Sequence, residues 1–196
     1  MEADWEVEIG RDAPVLDPLW EGLINLRSSP DLVSQISEAR QFPSMATALL
    51  RLNSADSSLR TTKCDVWPVD DSTQLDPYEM NADPGQTACG LACYFDVLPG
   101  KNELYLSLEE AEVWTRSAVA QLHQAEARCC RVDLVIRQAI TPAQQGFGVT
   151  TYISACGVDI PAATEALGDA LSIVASRFVG QGTTLPSLQG NKEAIQ

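Results

Sequence analysis

Hydrophobic and polar residues alternate at the start of the chain. Trp5, Val7 and Ile9 fall on one side and Asp4, Glu6 and Glu8 on the other, the period of a half-buried strand. Three proline-marked starts follow, Asp17-Pro18, Ser29-Pro30 and Phe42-Pro43. Proline suits the first turn of a helix, where its missing N–H is not needed. Leu19, Trp20, Leu23, Ile24 and Leu26 predict a first helix, and Leu32, Val33, Ile36 and Ala39 a second. Met45, Leu49 and Leu52 predict a third, stopped at Asn53 by a polar run. Residues 1–60 therefore read as a strand and a helical layer.

The texture then changes. A short strand is expected over 63–67, closed by Pro68, and an acidic loop runs from Val69 to Gln86. Cys89, Leu91, Cys93, Phe95 and Val97 alternate with Gly90, Ala92, Tyr94 and Asp96, so 88–98 reads as a strand with one apolar face. Ser107-Leu108-Glu109-Glu110 has the form of a capping box, and a helix follows to about Ala127. Alternation returns at 130–137 and 147–155, and Asp159-Ile160-Pro161 opens a last helix that Gly180 ends.

Strand, helix, strand, strand, helix is the order of a ferredoxin-like split βαβ without its last strand. If 63–67 fills the vacant place, the connectivity is permuted. The expected architecture is α+β: an antiparallel sheet with two helices on one face over 61–180, preceded by the N-terminal layer and followed by a flexible tail, 181–196. The apolar sides of the N-terminal helices also need burial. They are expected at an edge of the sheet or on its second face, either closing that face or leaving a pocket against it.

Composition narrows the partners. With 27 acidic and 13 basic residues among 196, the formal charge is −14. That field repels phosphate backbones and anionic lipid, which argues against nucleic acid and membrane surfaces. The acidic start Met-Glu-Ala-Asp-Trp-Glu is unlike a secretory signal, so a cytoplasmic location is expected.

Familiar catalytic patterns fail. Gly85-Gln-Thr-Ala-Cys-Gly90 has phosphate-loop spacing but lacks the following Lys-Ser/Thr and leads into a strand. With one histidine, His123, there is no H-E-x-x-H, and no G-x-S-x-G occurs. The six cysteines are Cys64, Cys89, Cys93, Cys129, Cys130 and Cys156. Cys89 and Cys93 lie roughly 13 Å apart on an extended strand, too far for a disulfide, and all six are expected to be reduced. Antiparallel pairing would bring Cys156 near Cys89 and near Cys129 or Cys130. Cys156 also precedes a helix N-terminus, which lowers a thiol pKa. This is the case for a cysteine-dependent enzyme, by acyl transfer or thiol redox, with Cys156 as nucleophile and His123 as base.

The sheet's second face is the favoured site. Tyr94, Tyr152, Arg131 and Arg137 converge there beside small residues, which suits an anionic or aromatic ligand. A weaker metal reading rests on Asp70, Asp71, Asp76 and Glu79 in the acidic loop, which lacks the order of a calcium loop. The expected function is a non-catalytic module without a cofactor. It binds a small molecule or protein on the sheet face, and self-association is expected.

Overall fold

The computed structural model describes residues 1–70, 75–100 and 104–180. The tail expected over 181–196 lies outside them, as does Asp71. Five strands form one mixed sheet: β1 (Glu2–Glu8), β2 (Leu59–Val69), β3 (Cys89–Pro99), β4 (Cys130–Ile140) and β5 (Gln145–Gly157). Their order is β1-β4-β5-β3-β2. β1 runs parallel to β4, and the other pairs are antiparallel. β2 is longer than predicted and lies beside β3, with a register shift between Thr61 and Cys64. The chain is thus α+β.

Period-two alternation decides what each strand buries. Leu91, Cys93, Phe95 and Val97 of β3 share one face with Ile153 and Val149 of β5 and Val132, Leu134 and Ile136 of β4. All of these lie in the main core. Helices α2 (Pro43–Leu52), α3 (Leu108–His123) and α4 (Ile160–Gly180) cover that face through Met45, Leu49, Leu122, Leu171 and Phe178. Ser107 caps α3 by accepting from Glu110 N–H at 3.1 Å. Glu110 reaches back to accept from Leu106 N–H at 2.9 Å, so the expected cap forms one residue off the reciprocal pattern. The helix ends at His123, before the predicted Ala127.

The N-terminal prediction needs three corrections. Residues 18–27 form turns, not a helix. There the Asp17 carboxylate takes the Leu19 N–H at 3.0 Å, and Gly22 adds the poorest helix former after proline. The second predicted helix is a 3-10 turn, Pro30–Gln35, followed by the five-residue α1 (Ser37–Gln41). Finally, α2 packs on α4, so the N-terminal helices join the same face as α3 and α4, and among the described residues no helix lies on the second face. Among the described residues no helix is long and apolar enough to cross a membrane.

Candidate functional site: an aromatic row on the helix-free face

Residues out of phase with the core populate the second face: Asp65 and Trp67 on β2, Tyr94 and Asp96 on β3, Thr150 and Tyr152 on β5, and Asp133 and Arg137 on β4. Tyr94 and Tyr152 are directly paired across β3 and β5, with ring centroids 5.8 Å apart and planes tilted by 45°. Trp67 stands 6.2 Å from Tyr94 on the other side. The Arg137 guanidinium lies 5.6 Å from the Tyr152 centroid, within cation–π range. Three rings therefore cross three strands side by side, all half-buried.

Two loops wall the row. At one end Leu16 pairs with the end of β4, donating to Gln138 O at 2.8 Å and accepting from Ile140 N–H at 3.0 Å. Its side chain comes so close to Gly148 that an added Cβ would meet Leu16 Cδ1 at 2.7 Å. At the other end Leu75 presses on Gly90, where a Cβ would meet Leu75 Cδ1 at 2.6 Å. These glycines leave room for the walls, and the rings occupy the gap between them.

On the same face, beside the row, runs a polar chain that is open at Glu8 and buried at Thr150 and Asp96. Glu8 accepts from Arg137 Nη2 at 2.6 Å and from Nε at 3.0 Å. Arg137 Nη1 reaches Thr150 Oγ1 at 3.4 Å, and that hydroxyl donates to Asp96 Oδ1 at 2.8 Å. Asp96 is 3% exposed. Burial pushes its carboxyl up to about 6, even though Thr150 and the charges of Arg137 and Lys63 oppose the rise. Tyr94 is likewise raised, by burial first and then by Asp96 and Asp65.

Arg131 is committed to carboxylates. Its Nη2 meets Asp133 at 2.8 Å and its Nη1 meets Glu79 at 3.1 Å. The adjoining cavity, about 340 Å³, is lined by Asp4, Glu6, Asp76, Glu79 and Asp133 as well as Arg131. Carboxylates thus outnumber guanidiniums in this cavity, which lies beside the row and is lined by none of its three rings. The expected ligand was anionic or aromatic, and both arginines of that expectation are paired with carboxylates here.

The four residues singled out from sequence all lie on this face. Tyr94, Tyr152 and Arg137 meet in one assembly, while Arg131 stands apart in the acidic cavity. Trp67, the last residue of the expected 63–67 strand, joins them from β2. Alternation puts Trp67 in phase with Asp65, but only the pairing of β2 with β3 brings it beside Tyr94. Glu8 and Glu79, distant in sequence, carried no signal as arginine partners.

The thiol alternative meets a different environment. Cys156 is 1% exposed, and burial, helped by Cys129, pushes its thiol up to about 12. The direction is opposite to the lowering expected from the helix start, and burial is its first cause. His123 Nε2 lies 2.8 Å from the Ala3 carbonyl, to which it donates. In the acidic loop Asp76 accepts from Tyr78 N–H at 2.9 Å and Glu79 is paired with Arg131. Asp70 follows directly on β2. Among the described residues no group of three or more His, Cys, Asp or Glu is arranged to hold a metal. Comparison with protein families, curated proteins and solved structures finds no match.

Proposed function

We propose that the chain is a non-catalytic binding module whose helix-free sheet face receives a flat, neutral or cationic group. That group is carried by a small molecule or presented by a protein partner. The carrying observation is the half-buried row Trp67–Tyr94–Tyr152 between two loop walls. Aromatic side chains facing solvent together offer stacking and cation–π contacts that a packed core would bury outright. The surplus of carboxylates around Arg131 and the overall charge of −14 favour a positive partner. Asp96 adds support, since a buried carboxyl with a perturbed pKa is more frequent at functional sites than elsewhere. The fold we propose is the ferredoxin-like split βαβ in permuted form, with β2 in the place of its last strand and β1 added at the opposite edge.

The test uses benzamidinium, a flat aromatic cation, with benzoate as its anionic counterpart. Tyr94→Ala and Tyr152→Ala should each keep the circular dichroism and cooperative unfolding of the parent while removing the fluorescence response to benzamidinium. Loss of folding in both variants would make the rings core and end this reading.

A further inference from the structure

The pairing of β4 with β5 brings two thiols face to face. Cys130 lies opposite Ala155, and one step beyond, Cys156 N–H donates to the Cys129 carbonyl at 2.8 Å. Only one of the two bonds that facing residues exchange is made here, because the Cys129 N–H turns to Asn81 O instead; a disulfide between the two needs Cα atoms about 4.4–6.8 Å apart. The side chains share one environment, since Cys156 forms a small apolar cluster with Leu75 and Met80 against which Cys129 packs. Cys129 Sγ also lies 3.5 Å from Gln86 Oε1, to which it donates.

Backbone geometry holds Cys129 in this position. Its φ of 59° is left-handed, uncommon for a residue with a Cβ, and its N–H is bound to Asn81 O at 3.4 Å. An open cavity of about 770 Å³ beside the start of α4 has both cysteines in its wall. Cys129 is half-buried and reachable from it, whereas Cys156 is covered. The remaining thiols do not compete. Cys93 and Cys130 belong to the helix-covered core, Cys64 packs against that core, and alternation turns Cys89 to the same side.

We propose that Cys129 and Cys156 form a redox-active dithiol that closes to an intramolecular disulfide when the protein meets a disulfide oxidant such as oxidised glutathione. The Cys129 thiolate attacks one sulfur of the oxidant, breaking its S–S bond and releasing one glutathione thiolate. Cys156 then gives its proton to that thiolate and attacks the Cys129 sulfur, displacing the second glutathione thiolate, which takes up from solvent the proton that Cys129 released there on ionising. Two protein thiols are oxidised and one oxidised glutathione is reduced to two thiols, so atoms and electrons balance. Burial of Cys156 makes the second step the slow one.

The experiment incubates the folded protein with oxidised glutathione, blocks free thiols, and counts thiols and maps linkages by non-reducing mass spectrometry. Titratable thiols in the unfolded product should fall from the sequence's six to four. The linked peptides should contain residues 129 and 156. Cys129 and Cys130 share a tryptic peptide, so Cys129→Ser decides between them and should abolish the link. Cys156→Ser should accumulate the mixed glutathione adduct on Cys129. If Cys156→Ser does not fold, Cys129→Ser at the half-buried position carries the decision. Retention of six thiols, a lasting glutathione adduct on wild-type Cys129, or a link that survives Cys129→Ser would overturn the proposal.

Discussion

Replacing Asp96 with Asn tests the buried end of the polar chain quantitatively. The carboxyl is raised from 3.8 to about 6 in the folded chain by burial, with Thr150 and Arg137 opposing. A raised carboxyl pKa means that the folded state holds the proton more tightly than the unfolded state. Asp96 therefore contributes its full stability below pH 3.8 and loses it as pH rises through about 6. At about 1.36 kcal/mol per pH unit, this difference makes ionised Asp96 cost about 3 kcal/mol at neutral pH. Asn keeps an oxygen that can accept from Thr150 and has no charge to desolvate. Urea unfolding of both proteins between pH 4 and pH 7.5 isolates the effect, because the other carboxylates cancel in the difference. Asp96→Asn should match the wild type within about 1 kcal/mol at pH 4 and exceed it by about 2–3 kcal/mol at pH 7.5. A difference that does not change with pH would show that Asp96 is not the desolvated acid described here.

Neighbouring residues of β3 should respond very differently to truncation. Phe95→Ala, in the core, should cost about 4 kcal/mol, and Tyr94→Ala, on the open face, should cost about 1–2 kcal/mol, both by denaturant unfolding. Thr151 carries a fully buried hydroxyl with no hydrogen-bond partner among the described residues, so the near-isosteric Thr151→Val should be neutral or raise stability by about 1 kcal/mol. A loss of 1 kcal/mol or more would indicate a bond to that hydroxyl. Ser107→Ala removes the bond that caps α3 and should destabilise the chain by about 1 kcal/mol, read as a lower urea midpoint with an unchanged slope.

The C-terminal half was legible because β3, β4 and β5 each bury one face, and a period of two then assigns every side chain. Tyr94 and Tyr152 could be placed on the same face from that rule alone. The N-terminal stretch was harder because tertiary contacts decide it. The run Leu19 to Leu26 has helical spacing, yet Leu16 is drawn into pairing with β4, and Arg27 donates to Ser57 O and Leu59 O across the start of β2. Where α2 would pack was also hidden, since an apolar stripe states that a face is buried but not which surface buries it. The pairing of the two arginines was hidden for a related reason. Arginines at 131 and 137 are visible in the sequence, but their carboxylate partners on β1 and in the 75–82 segment are brought in only by the fold.

The claim on which the rest depends is that the row of rings on the helix-free face is a binding surface. A backbone and aromatic NMR titration with benzamidinium tests it most directly. The account predicts saturable shifts confined to Trp67, Tyr94, Tyr152 and their strand neighbours, absent with benzoate. Shifts scattered over the helical side, or a response to benzoate equal to that of the cation, would contradict it.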